Sequence, residues 1–188
     1  MYLEERDFRS ISKRCEELIQ NKSPFISILI DIDNYHETSK IENNERIKLI
    51  KDFFNKNLSV NMEYLGKDEF YSIDTNLKLE SIASELFNLK LKLPNELMDS
   101  FCASIIEYPQ NGKDSIEIIR LLEESIYQGK QEGKNKIVFA HDAKMKLKSN
   151  YYSLTQLERL NDLSKMIGRT ESSLLREALD NLFRKYYD

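Results

Sequence analysis

Met62-Glu63-Tyr64-Leu65-Gly66-Lys67-Asp68-Glu69-Phe70-Tyr71-Ser72-Ile73 sets two apolar runs around a glycine and three charged residues. That pattern predicts a β-hairpin with Asp68 and Glu69 at its tip. Upstream, Phe8, Ile11, Cys15, Leu18 and Ile19 keep helical spacing until Pro24 breaks it, and an Ile/Leu-rich strand follows over 25–32. Alternation along that strand puts Ile28, Ile30 and Ile32 on one face and Leu29, Asp31 and Asp33 on the other. A sheet that lays the hairpin beside this strand brings Asp31 and Asp68 together. Converging carboxylates are natural ligands for Mg²⁺ and, through it, for a nucleotide's phosphates; acids at strand ends are also commonly just solvated.

Outward from this centre, helices are predicted over 3–20, 41–57, 77–91 and 115–131, with strands over 100–106 and 136–140. The order α-β-α-β-β-α-β-α-β mixes a hairpin with crossover helices. It implies an α+β fold, with a mixed, largely antiparallel sheet and helices packed on it.

The 188 residues are 40% hydrophobic and 32% charged, which suits one or two soluble globular domains. The longest apolar stretch, Phe25-Ile26-Ser27-Ile28-Leu29-Ile30, falls far short of the roughly 20 residues that cross a bilayer, so no membrane partner is expected. Met1-Tyr2-Leu3-Glu4-Glu5-Arg6 lacks the apolar core of a secretory signal, and a cytoplasmic location is expected. Cys15 and Cys102 fit a reducing compartment as small core residues. A net charge of −4 argues at first sight against a nucleic-acid partner. The charge is uneven, however. Residues 141–188 hold nine Lys/Arg and seven Asp/Glu, a net +2, so the first 140 hold −6; residues 144–170 alone hold six bases against two acids, a net +4. This break near His141 predicts two modules, 1–140 and 144–188.

Leu65-Gly66-Lys67-Asp68-Glu69-Phe70 resembles the Gly-Gly-Asp-Glu-Phe hairpin of the GGDEF family of diguanylate cyclases, with Lys67 in place of the second glycine. Asp31-Ile32-Asp33-Asn34-Tyr35 looks like that family's Asp-x-Asp-x-Phe strand end. Pro109-Gln110-Asn111-Gly112-Lys113-Asp114 and the stretch from Ile126-Tyr127 through Gly129-Lys130 to Gly133-Lys134-Asn135 and Val138 resemble its later motifs in the right order. The resemblance runs over residues 3–139. It implies a palm-like, ferredoxin-like sheet, metal ligands at Asp31, the Ile32 carbonyl and Asp68, and triphosphate contacts at Lys130 and Lys134. Gly66 and Lys67 fall at the nucleotide-facing tip, and Asp68 and Glu69 would be the catalytic acids of an active enzyme. The guanine-reading positions depart from the family. Ser39 stands for the base-reading Asn, Lys40 for the Asp after it, and the second acid is lost or shifted to Glu45. The inhibitory Arg-x-x-Asp pattern is missing. Lys134 replaces an arginine and supplies charge without a bidentate fork.

The second module reads as a short basic extended run over 144–152, then two helices. Ser153 is a candidate N-cap. Leu154, Leu157, Leu160, Leu163 and Ile167 form a stripe ended by Gly168, and Thr170 caps a helix striped by Leu174, Leu175, Ala178, Leu179, Leu182, Phe183 and Tyr186. Such a unit of 45 residues cannot bury those stripes alone, which predicts a dimer. Strand, helix, Gly-Arg-Thr-x-Ser turn and helix resemble the ribbon-helix-helix repressors. That resemblance implies an intertwined dimer whose paired strands enter the DNA major groove. Lys146, Lys148 and Asn150 form the expected reading face, in the register that exposes them, and Arg169 and Thr170 lie where a helix N-terminus would meet phosphate.

Together these readings give an expected homodimeric transcription regulator: a purine nucleotide or cyclic dinucleotide, held with Mg²⁺, tunes binding to a DNA operator. The alternative is an active nucleotidyl cyclase of altered base preference.

Overall fold

The computed structural model describes residues 6–36, 41–140 and 150–187. The chain divides into two compact units, Met1–Ala143 and Lys144–Asp188. Among the described residues, no helix is long and apolar enough to cross a membrane.

In the first unit, α1 (Arg9–Gln20) leads into β1 (Phe25–Ile32), followed by α2 (Asn43–Asn57), the hairpin β2 (Glu63–Gly66) and β3 (Glu69–Asp74), α3 (Leu79–Lys90), β4 (Phe101–Tyr108), α4 (Ser115–Gln131) and β5 (Ile137–Phe139). The five strands form one sheet in the order β2-β3-β1-β4-β5. Strand β1 pairs antiparallel with both β3 and β4, β2 pairs antiparallel with β3, and only β4 and β5 run parallel, joined through α4. This is the mixed α+β sheet that the order of elements implies.

All eight residues of β1 are buried, because helices cover both faces of the sheet. Ile26, Ile28, Ile30 and Ile32 join a core with Ile50 and Phe54 of α2 and with Ile82 and Leu86 of α3. Phe25 and Leu29 face the other way, into a core with Ile11, Cys15 and Leu18 of α1 and Ile118, Leu122 and Ile126 of α4. Each fully buried aliphatic side chain contributes about 1.5–3 kcal/mol, so register along β1 is strongly fixed. Asp31 is thereby committed to the α1/α4 side, at the strand's C-terminal end. Both cysteines are buried and free of any disulfide.

The second unit contains α5 (Leu154–Ile167) and α6 (Glu171–Tyr187). Ser153 caps α5 in a reciprocal capping box with Gln156, and Gly168 ends the helix in the left-handed region at φ 67°. Thr170 Oγ1 accepts a hydrogen bond from the Ser173 amide, as an N-cap does. Leu157, Leu163, Met166 and Ile167 of α5 and Leu175, Leu179, Leu182 and Phe183 of α6 are exposed; Leu174 is buried. The basic run carrying Lys146 and Lys148 lies outside the described residues, as do Ser39 and Lys40.

Candidate functional site

The site is built where β1, the β2–β3 hairpin and the end of α4 meet. Cross-strand pairing sets Glu69 of β3 and Cys102 of β4 directly opposite Asp31, so the three side chains form one row across the α1/α4 face. The Ile32 amide donates to the Asp68 carbonyl at 3.0 Å, which locks the hairpin tip to the end of β1. The Asp31 carboxylate is 4% exposed. One of its oxygens, Oδ2, receives Lys130 Nζ from the last turn of α4 at 2.6 Å. The other, Oδ1, is buried with no hydrogen-bond partner in the structure.

Burial first, and then repulsion from Asp68, raise the Asp31 pKa well above the carboxylate range, against the pull of Lys130. Burial works against the charge on Lys130, yet Asp31, with Asp68 and Glu69 behind it, holds the lysine above its ordinary pKa. Glu69, 4% exposed, takes two hydrogen bonds from Arg6 Nη1 at 3.0 and 3.3 Å; Glu123 of α4 lies 3.4 Å from the same nitrogen. Burial outweighs the guanidinium, and the Glu69 pKa rises to about 7.

At the hairpin tip Gly66 has φ 130° and Lys67 φ 52°, so the lysine occupies a left-handed conformation suited to glycine. Tyr64 Oη donates to the Lys67 carbonyl at 2.9 Å and holds the turn. Lys134 lies in the α4–β5 loop and donates to Asn34 Oδ1, just beyond β1. The structure therefore brings Asp31, Asp68, Glu69, Lys130 and Lys134 to one end of the sheet. Glu45 lies apart from them as an exposed side chain in the first turn of α2. The space between the β1 exit and α2 is held instead by Arg46, which sequence reasoning missed. Its guanidinium is buried, stacks 3.9 Å from the Tyr35 ring centre, and donates to the Leu97 carbonyl at 2.8 and 2.6 Å. A second missed residue is Arg6, whose partner Glu69 lies 63 positions away and gives no local signal.

Residues 149–187 match the family model of the ribbon-helix-helix domain. The first unit superposes on solved GGDEF domains. An active GGEEF domain of a diguanylate cyclase from Vibrio cholerae has a TM-score of 0.56 at 19% identity, covering 73% of this chain and 94% of that one. The GGDEF domain of DgcB from Caulobacter crescentus, in complex with c-di-GMP, has a TM-score of 0.57 at 15% identity, covering 71% and 85%. A GGDEF domain from Pseudomonas aeruginosa has a TM-score of 0.57 at 16% identity, covering 71% and 95%. The chain joins a GGDEF-type fold to a ribbon-helix-helix domain. At these identities the likeness of the GGDEF-type unit is one of fold. No curated protein matches the chain.

The donor set of the GGDEF-type unit suits a hard divalent cation. It offers carboxylate oxygens at Asp31 and Asp68, and the orphaned Asp31 Oδ1 is a buried polar atom of the kind that needs a partner. Among the described residues no cluster of three or more His, Cys, Asp or Glu is arranged to hold a metal by itself. Two carboxylates that share an ion with a ligand's phosphates are what Mg²⁺ usually takes.

In the ribbon-helix-helix domain, Asn150 is exposed ahead of α5, and its Oδ1 accepts from the Tyr151 amide at 2.8 Å. Arg169 folds back onto α6, with Nη1 2.5 Å from Glu177 and Nη2 2.7 Å from Ser173 Oγ. The Thr170 hydroxyl is engaged in capping. These two residues shape the helix N-terminus as well as standing at it.

Proposed function

We propose that the chain is a nucleotide-responsive, DNA-binding transcription regulator that works as a homodimer. Its GGDEF-type unit binds a purine nucleotide or cyclic dinucleotide, and its ribbon-helix-helix domain binds an operator. The observation that carries this reading is Asp31: buried, half-paired with Lys130, and left with one unpartnered oxygen beside Asp68. The nucleotide class is also supported by the c-di-GMP bound to the similar DgcB domain.

Asp31 and Asp68, with the Ile32 carbonyl, would hold Mg²⁺. The ion, when bound, neutralises phosphate charge. Lys130 and Lys134 place two ammonium groups over the same end of the sheet, where they attract and orient a polyphosphate. The cost of burying Asp31 is tolerated because ligand binding supplies the missing partner. Exposed stripes on α5 and α6 supply the apolar surface for a second copy, and the basic run at Lys146 and Lys148, with Asn150, supplies the DNA-reading ribbon.

A second reading is an active nucleotidyl cyclase of altered base preference. It is favoured by Glu69, a buried acid next to Asp68 with a pKa of about 7, near the optimum for a general base at neutral pH. One experiment separates the two. The full chain is incubated with each nucleoside triphosphate and Mg²⁺ or Mn²⁺, and bound ligand and products are both analysed. The regulator reading predicts a retained nucleotide and no cyclic product. A cyclic dinucleotide whose formation vanishes in Asp68→Ala would establish the cyclase. An unchanged melting temperature with every triphosphate and cyclic dinucleotide would contradict both. For DNA, retarded migration of the protein's own upstream region should be lost in Lys146→Ala/Lys148→Ala; retention would refute that reading face.

A further inference from the structure

We propose that Asp33 is a positioning residue that holds the α4–β5 loop, so that Lys134 is kept at the β1 exit, at the same end of the sheet as Lys130, Asp31 and Asp68. The role rests on the nucleotide-binding reading above, and it concerns a residue outside the set that touches metal or phosphate.

Asp33 is 1% exposed, more deeply buried than Asp31. Its carboxylate is fully engaged: Oδ2 accepts from Ser100 Oγ at 2.7 Å and from the Asn135 amide at 2.8 Å, and Oδ1 accepts from Cys102 Sγ at 3.4 Å. Its own amide donates to the Ser100 carbonyl at 3.1 Å, fixing the aspartate against the start of β4. The Asn135 carbonyl is held from the other side by Lys90 Nζ of α3. Asn135 is thus gripped at both its amide and its carbonyl.

This grip falls on a stretch that needs it. Gly133, Lys134 and Asn135 have φ of 104°, 62° and 51°, three successive residues with positive φ. The two non-glycine residues adopt that conformation at a cost and persist only where neighbours over-determine it. Charge-assisted hydrogen bonds donated to a fixed carboxylate are suited to that task. Three close positions at the β1 exit each hold one position in the last turn of α4 or the loop after it: Asp31 with Lys130, Asn34 with Lys134 and Asp33 with Asn135. Of these, only the Asp33 contact reaches loop backbone, so it sets the loop path that carries Lys134.

The test compares the full chain with Asp33→Asn and Ser100→Ala. Three quantities are measured: affinity for ATP and GTP with Mg²⁺, affinity for Mn²⁺ alone, and hydrogen exchange of amides over residues 132–136. Asp33→Asn should weaken triphosphate binding about tenfold, keep Mn²⁺ affinity within about twofold, and speed exchange at the Asn135 amide at least about tenfold. Ser100→Ala should act in the same direction, about threefold, without altering the buried charge. General structural damage would lower Mn²⁺ and triphosphate affinity together, and that outcome overturns the proposal, as does unchanged triphosphate affinity in Asp33→Asn. If the unaltered chain binds no triphosphate, the nucleotide reading falls by itself. Unaltered loop exchange in Asp33→Asn overturns the positioning role alone.

Discussion

Asp31 and Glu69 sit opposite each other on neighbouring strands, and both are buried acids whose ionised forms are disfavoured. For such groups the folded state holds its proton to higher pH than the unfolded chain, so stability falls as pH rises through the window between the two values. For Glu69 that window runs from the ordinary 4.5 to about 7. Glu69→Gln should therefore flatten the decline in stability between pH 5 and pH 7.5, measured by urea unfolding at a series of pH values; an identical slope in both proteins would refute it. Asp31→Asn removes a buried charge whose desolvation outweighs its pairing with Lys130, and should raise stability at pH 8 while abolishing Mn²⁺ binding. A loss of stability in that variant would show that the Lys130 pair outweighs desolvation. Of these two acids, sequence reading picks out Asp31 through strand alternation, because alternation is local. It places Glu69 at the hairpin tip, whereas the side chain is buried under Arg6, a contact between residues 63 positions apart that no spacing rule reports.

Among the elements, the hairpin shows most clearly where this chain departs from ordinary turn chemistry. Lys67 takes φ 52° where a glycine would carry no steric cost. Lys67→Gly should raise the unfolding free energy by about 0.5–1 kcal/mol, read from a denaturation midpoint, because relief of strain exceeds the entropy that glycine adds to the unfolded chain. A lowered midpoint would mean that the lysine's own contacts stabilise the tip. The order of helices and strands was legible because β1 and its neighbours obey simple periods: β1 covers residues 25–32 as its apolar run and the Pro24 break indicate. The α4–β5 loop was not legible in the same way. Its Gly133 marks a turn, but the left-handed Lys134 and Asn135 depend on Asp33, about 100 residues earlier. Arg46 is another such case. A charged residue on an amphipathic helix reads as solvent-facing, yet tertiary partners at Tyr35 and Leu97 bury it.

Across the whole molecule, the net charge of −4 averages an acidic GGDEF-type unit with a basic segment over 144–170. Paired in a dimer, that segment should give DNA binding that weakens steeply with salt, since each phosphate contact releases counterions. The dimer itself is argued from α6, where Leu175, Leu179, Leu182 and Phe183 form an exposed stripe at helical spacing. Leu179→Asp should convert the chain to a monomer in sedimentation equilibrium; an undiminished dimer would place the interface elsewhere. Coupling between the two units requires that nucleotide bind one DNA-affinity state better than the other, and by linkage DNA must then alter nucleotide affinity by the same factor. The most direct measurement is the operator affinity of the full chain, titrated with and without the bound nucleotide and Mg²⁺, in the unaltered protein and in Asp68→Ala. The account predicts a shift of about 5- to 150-fold in the unaltered protein and none in Asp68→Ala; operator affinity that is the same with and without nucleotide would contradict it.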